Sequence, residues 1–316
     1  MSVKAATDRV DEANALELAI EVGDDEIEAL IAPYIRRRFY ADDPEWRKLV
    51  DDQERKWRRA YRKSRLRTFV GLPARGQGHV KKEYGRQWGG RTALDILSPK
   101  DGSSAVIWRN HGFLMDANGL KRIYLLFLMR LIEALKPVSV LEAGCGTGVN
   151  LFVLASRFPD IEFSGIELTA QGAAAVQTFQ EESTLPEVLS SYSPLPPRDT
   201  SAFKRVHVQQ ASAAELPFQD GQVDLVFTCL ALEQMKAVQH SALREIRRVA
   251  RRAIVMTEPF ADCNAESMRQ HRIRAHAYFD AAVDDLPRFG LKPTYVRKDI
   301  PAKIAMGVAI VASETV

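Results

Sequence analysis

The sequence predicts an α/β protein with a mostly parallel sheet, and three observations carry that prediction. From Val138 onward, apolar runs of strand length alternate with helix-length amphipathic runs, the pattern of strand–helix–strand units. The first such run ends in the glycine turn EAGCGTG, Glu142 to Gly148, which leads at once into a helix pattern. The last two apolar segments are separated by only a short polar link, so they form a hairpin and the final strand runs antiparallel.

The elements follow in order. Leu120 to Leu135 is a helix with an apolar face, ended by Pro137. Val138 to Leu141 is a buried strand, and Thr147 to Arg157 a helix. Ile161 to Ile166 is the second strand and ends at Glu167; Thr169 is the N-cap of a helix reaching about Gln180. Residues 183–201 are proline-rich and read as an inserted loop. Arg205 to Gln209 returns to the sheet. Val223 to Thr228 is the fourth strand, His240 to Val249 a helix, Ala253 to Thr257 the fifth strand, and residues 265–280 helical. Pro293 to Arg297 and Ile304 to Ala312 complete seven strands. Ligands of such sheets bind outside the carboxyl ends of the strands.

Composition sets outer limits. The 316 residues are 46% apolar and 27% charged with a net charge of +3, which is an ordinary soluble mixture and does not by itself point to nucleic acid. Cys145, Cys229 and Cys263 form neither a metal-ligand pattern nor a disulfide framework, so no metal and a reducing, cytoplasmic compartment are expected. The first 25 residues lack the apolar core of a signal peptide. The most apolar stretch, Ile123 to Ile132, is too short to span a bilayer and contains Arg130, so no membrane partner is expected.

Charge is uneven. Residues 1–30 hold nine acids and two bases, and residues 47–67 hold ten bases and three acids. The basic run reads as a solvated helix that packs by an irregular stripe of Trp46, Leu49, Val50, Trp57, Tyr61 and Leu66 and pairs with the acidic N-terminal helix; an anionic substrate or partner, or nucleic acid, is the alternative. Residues 71–119 are glycine-rich and aperiodic, and Tyr84 and Trp88 within them need something to pack on. Long irregular stretches of that kind line sites or are disordered, and here an ordered lid or substrate wall is favoured.

The glycine turn alone does not choose a ligand. It lacks the GKS or GKT of a phosphate-gripping loop and the GxGxxG spacing of dinucleotide folds. Glu167, at the end of the second strand, is placed to accept two hydroxyl hydrogens of a ribose. Two further segments follow strands: SAAELPF, Ser212 to Phe218, and LEQM, Leu232 to Met235.

Together these residues resemble the class I S-adenosylmethionine-dependent methyltransferases over about residues 120–316. EAGCGTG is close to that family's glycine motif, GIEL sets Glu167 at its ribose position, SAAELPF is similar to its adenine-side motif, and VMTEP, Val255 to Pro259, to its fifth-strand motif. The resemblance implies a Rossmann-like sheet preceded by a helical extension, residues 1–119, that supplies lid and substrate pocket. It implies S-adenosyl-L-methionine as cofactor, held by Glu142, Gly144, Cys145, Gly146, Gly148, Glu167, Leu168, Ser212, Ala213 and Cys229. Two departures stand out. Ser212 replaces the usual acid, leaving Ser212, Glu215 or backbone to hold the adenine, and Gln234 stands where a histidine is frequent and cannot take a proton.

The expected reaction is methyl transfer to an oxygen or nitrogen of a small, biosynthetic molecule under a lid; the alternative is an RNA or protein methyltransferase that uses the 47–67 run. His111 leads as general base, with Asp116 beside it; a structural histidine or cofactor contact is the other reading of His111. Arg122 is a candidate for the methionine carboxylate or an ordinary salt bridge. Tyr84, Trp88, Tyr34 and Tyr40 are candidates for an aromatic substrate wall or ordinary packing, Gln234 for orienting a polar substrate group, and Glu258 and Asp262 for holding a cationic or amino substrate. His271 and His276 fit a surface helix. A homodimer is compatible with the sequence.

Overall fold

The computed structural model describes residues 20–40, 42–71, 76–98 and 103–315. Its centre is a seven-stranded sheet ordered β6-β5-β4-β7-β8-β11-β9, from β4 (Ser139–Ala143), β5 (Glu162–Glu167), β6 (His207–Gln210), β7 (Val223–Cys229), β8 (Ala250–Glu258), β9 (Leu291–Arg297) and β11 (Ala309–Thr315). The first five are parallel; β11 runs antiparallel to both β8 and β9, the hairpin foreseen from sequence. The order reverses at β4, so the crevice between the carboxyl ends of β4 and β7 is where a ligand belongs.

Helices cover both faces. α5 (Asn118–Leu135) is buried on nearly every side, and it stops at Lys136, which is left-handed, just before Pro137. α6 (Val149–Arg157) follows the glycine turn, α7 (Ala170–Phe179) follows β5, and α9 (Gln239–Val249) precedes β8. The Thr169 hydroxyl accepts the Gly172 N–H at 3.1 Å, so Thr169 is the N-cap it was expected to be. The 183–201 insertion is not all loop: α8 (Glu187–Tyr192) buries Leu189 and Tyr192.

The N-terminal region departs most from the sequence reading. α1 (Asp24–Ile31) and the 26-residue α2 (Pro44–Phe69) are helical as expected. The stretch read as irregular holds α3 (Gln77–Trp88), α4 (Ala93–Leu97), β2 (Ser104–Trp108) and β3 (His111–Met115). β1 (Ile35–Tyr40), β3 and β2 build a second sheet that takes its fourth strand, β10 (Ala302–Lys303), from the far end of the chain. Residues 304–308 therefore belong to no strand of the large sheet, and β11 begins only at Ala309. The acids of α1 pair elsewhere than α2: Asp24 with Arg109, Glu26 with Arg130 of α5 and Glu28 with Arg38 of β1. Asp8, Asp11, Glu12 and Glu17, to which the pairing expectation also extended, lie outside the described residues. Among the described residues, no helix is long and apolar enough to cross a membrane.

Candidate active site

A cavity of about 250 Å³ opens at the carboxyl ends of β4, β5 and β7, under α3 and α4. Its floor is the glycine turn. The Gly144 and Cys145 amides both donate to the Ile166 carbonyl at 2.9 Å, which ties the turn to the end of β5. Gly144 has φ +94°, and a Cβ there would stand 2.7 Å from the Ala231 Cβ, so only glycine fits.

Two buried carboxyl side chains, Glu142 and Glu167, border this turn and line the cavity. Glu167 is 6% exposed. Its Oε1 accepts the Thr169 N–H at 3.0 Å and hydroxyl at 2.7 Å, and its Oε2 accepts the Gly146 N–H at 3.2 Å. An ionised carboxylate has about four acceptor sites, so Glu167 is held rigidly and still has capacity for hydroxyl donors. The fixed position needs Gly172, where a Cβ would lie 2.6 Å from the Glu167 Cγ.

Glu142 is 1% exposed. Its Oε1 accepts from Asn150 Nδ2 at 2.7 Å, but its Oε2 has no partner. Burial pushes its carboxyl up to about 8, with the nearby Glu167 charge adding to the effect. A buried carboxylate oxygen without a donor is costly, and this one borders the cavity. It asks for a cationic or hydrogen-bonding ligand group.

The third wall is the loop after β7. Leu230 is held at φ +54°, unusual for leucine. Glu258 explains how the loop keeps that shape: its carboxylate accepts the backbone N–H groups of Ala231 (2.9 Å), Leu232 (3.1 Å) and Glu233 (3.2 Å). Burial, with the nearby Glu233 charge, pushes Glu258 up to about 8 against the Leu232 and Ala231 donors. The expectation that Glu258 holds substrate is corrected: it is fully buried, lies outside the cavity lining, and its oxygens are engaged with the loop. Gln234 does line the cavity; its Nε2 donates to Glu233 at 2.8 Å and its Oε1 has no partner.

The roof is α3. Gln77 donates to the Ser212 hydroxyl at 2.7 Å, and Tyr84 and Trp88 line the cavity. The Trp88 ring lies over the turn, with Cζ2 3.3 Å from where a Cβ of Gly146 would stand, and its Nε1 is buried without a partner. Ser212 also accepts the Ala214 N–H at 3.2 Å, which leaves its own O–H to donate. Glu215 is exposed and outside the lining.

The fold therefore gathers Glu142, Gly144, Cys145, Gly146, Glu167, Leu168, Ser212, Ala213, Cys229, Tyr84, Trp88 and Gln234 around one space. Gly148 stands just behind it, as the residue that starts α6 against Phe152 and Val176. Burial raises the thiols of Cys145 and Cys229 above the ordinary range, so neither serves as a thiolate.

Other candidates lie elsewhere. His111 is exposed at the start of β3, its ring 5.9 Å from Tyr40, because that strand belongs to the second sheet. Asp116 accepts the Asn118 N–H at 2.8 Å and organises the start of α5. Neither borders the cavity, and neither does any of the six histidines. Arg122 donates to the carbonyls of Tyr192 (2.9 Å), Leu30 (3.2 Å) and Ser193 (3.4 Å), pinning the insertion to α1. Its neighbour Lys121 is the cation that lines the cavity, a residue the sequence reading passed over together with Gln77, Asn150 and Met235. The phase of α5 was the signal: Leu120 and Tyr124 are buried, and Lys121 lies one residue along from the first. Asp262 is taken by Lys298 at 2.9 Å and by the Val283 N–H, while Tyr34 lies under Arg122.

Residues 141–253 match the family model described as a methyltransferase domain. Solved structures with a similar fold include a geranyl diphosphate C-methyltransferase from Streptomyces coelicolor A3(2), with 15% identity over 75% of this chain and 98% of that one and a TM-score of 0.46. A magnesium protoporphyrin IX methyltransferase from Synechocystis PCC 6803 shares 13% identity over 62% and 80%, with a TM-score of 0.43. The cyclase SpnF shares 16% over 77% and 97%, with a TM-score of 0.48. Residues 141–253 are thus similar to a methyltransferase domain, and they lie on a seven-stranded sheet whose order reverses at β4, beside the glycine turn.

Proposed function

We propose that the protein binds S-adenosyl-L-methionine in this cavity and methylates an oxygen or nitrogen of a small molecule enclosed under α3. The observation that carries the reading is the pair of buried carboxylates on either side of the glycine turn: Glu167 rigid with acceptor capacity left, and Glu142 with an unpartnered Oε2. The residues fit the cofactor's chemistry. Glu167 would take the ribose hydroxyls, Glu142 and Lys121 the charged amino-acid end, and Ser212 with Ala213 the adenine edge. When bound, the cofactor supplies a methyl group already activated on a sulfonium.

What remains for the chain is orientation and exclusion of water. Trp88 and Tyr84 close the roof, while Leu97, Leu230 and Met235 give an apolar lining. Gln234 orients a polar substrate group without taking its proton. With no histidine on the cavity, a nucleophile that enters deprotonated, or loses its proton to water or to an adjoining carboxylate, suits the site better than one that needs a dedicated imidazole. In this reading residues 1–119 provide roof and substrate pocket, residues 120–316 the catalytic domain, and the setting is cytoplasmic. The basic residues of α2 do not line the cavity, which favours the small-molecule reading over an RNA or protein target.

The test is titration calorimetry with S-adenosylmethionine and S-adenosylhomocysteine, followed by transfer of labelled methyl into a metabolite extract and, separately, into total RNA and protein. Cofactor heat with label in small molecules supports the reading. Absence of cofactor binding ends it, and label in RNA or protein alone replaces the substrate class.

A further inference from the structure

The basic run takes no part in the cavity, yet the fold concentrates its charge instead of dispersing it. α2 packs by Trp46 on the second sheet and by Trp57 and Tyr61 on α10 (Ser267–His276). α10 is itself cationic, with Arg269, Arg272 and Arg274. Arg272 lies 5.0 Å over the Trp57 ring and Arg274 5.9 Å over Tyr61, while His276 and His271 pack on the same two rings at 5.3 and 5.2 Å. Two helices of like charge are thus joined through aromatic faces.

From Arg55 to Gly71 there are eight bases and no acid. Arg55 pairs Asp52 and Arg58 pairs Glu54, but Arg59, Arg62, Lys63, Arg65 and Arg67 make no ion pair with a described residue. In a chain of net charge +3 such a face is self-repelling unless an anion answers it.

The end of α2 says which kind of anion. Every residue from Arg65 to Val70 is exposed, so the helix overhangs its support. Leu66 is 63% exposed, Phe69 88% and Val70 59%. Spaced at i, i+3 and i+4, they share one face within a collar of Arg62, Lys63, Arg65 and Arg67. Isolated exposed apolar residues are ordinary; three together at an overhanging tip are not. A nucleic-acid backbone would call for the cations alone. An anionic bilayer calls for both, with headgroup phosphates for the collar and the acyl boundary for the ring and branched chains.

We propose that the tip of α2 docks on an anionic lipid surface, as a peripheral contact that needs no spanning helix. Five residues lie between Gly71 and Gln77, so the tip can stand no farther than roughly 20 Å from the start of α3. Docking would hold the roof side of the cavity close to the lipid. The proposal does not depend on the methyl-transfer reading.

Cosedimentation of the full chain with phosphatidylserine-containing vesicles, against pure phosphatidylcholine vesicles, tests it. Binding is expected only to the first, weakening at least about tenfold between low and high salt as the charges are screened. The triple variant Arg62→Glu, Arg65→Glu, Arg67→Glu should abolish it, and the pair Leu66→Ser, Phe69→Ser should weaken it about tenfold at unchanged charge. All five side chains are exposed, so the melting curve checks that the fold persists. Absence of binding to phosphatidylserine vesicles, or equal binding by both variants, overturns the proposal. Tight binding of a single-stranded RNA oligomer that outcompetes the vesicles and ignores the Leu66/Phe69 pair would assign the face to nucleic acid instead. Salt-sensitive self-association without vesicle binding would assign it to a second copy.

Discussion

The cavity has two walls of different make. The core wall, from the ends of β4 and β5, is built of buried residues tied down several times over: the turn amides on Ile166, the Glu167 carboxylate on Thr169 and Gly146, and Glu142 on Asn150. The roof is a single helix of which only Val80 is buried, joined to the core by Gln77 on Ser212 and by Gly85 against Gln171. A preorganised wall sets affinity and position at little cost on binding, whereas a lightly attached one is suited to open and admit ligand. The contrast teaches where each mutation should act.

Glu167→Ala should have the largest effect. It would remove the proposed acceptor of two hydroxyls and the tie to Gly146, and bonds to a charged acceptor are worth about 1.5–3 kcal/mol each, so cofactor affinity should fall at least about a hundredfold by calorimetry. Unchanged affinity would remove Glu167 from the binding wall. Trp88→Ala, on the roof, should weaken cofactor binding only about tenfold, ~1.4 kcal/mol, and leave the melting temperature nearly constant. A large drop in stability would mean that the roof is part of the core after all.

The third prediction concerns pH. Glu142 and Glu258 are both raised to about 8 by burial, so between their ordinary range and pH 8 the folded chain holds protons that the unfolded chain has released. Stability contributed by these groups is therefore lost as pH rises through that window. Glu142→Gln should flatten the decline in denaturation midpoint from pH 5 to 8.5; an unaltered slope would show that Glu142 is ionised throughout. The smallest effect is expected from His111→Gln, since the ring is exposed on the second sheet: turnover and its pH profile should match wild type. A fall in turnover with intact cofactor binding would bring His111 back as a base.

The legible part of the site was the part encoded locally. Strand, glycine turn and helix start are contiguous from Ser139 to Arg157, and Glu167 ends the next strand, so their meeting follows from parallel pairing alone. The roof was illegible for a reason that α3 shows. Gly78 and Gly85 interrupt it, and glycine in a helix interior normally argues for a loop. Gly85 instead lets the helix come close to α7, where a Cβ would stand 3.2 Å from the Gln171 side chain. His111 was misjudged through its nearness in sequence to the glycine strand; β3 pairs with β1 and β2, and that pairing turns the ring away from the cavity. Glu258 was placed correctly at a strand end, but only the loop folded over it shows that its oxygens face backbone amides.

By itself, the sequence determined the α/β class, the antiparallel last strand, the glycine turn and the place of Glu167 at the end of the next strand, because each rests on periodicity or on residues adjacent along the chain. The tertiary structure alone decided which charges are used. It engaged Arg122 and Glu258 with backbone, left Glu142 Oε2 without a partner at the cavity, and set the arginines of one cationic helix on the aromatic rings of another. The physical reason is that the fate of a charge depends on burial and on partners far away in sequence, and neither is written in local pattern.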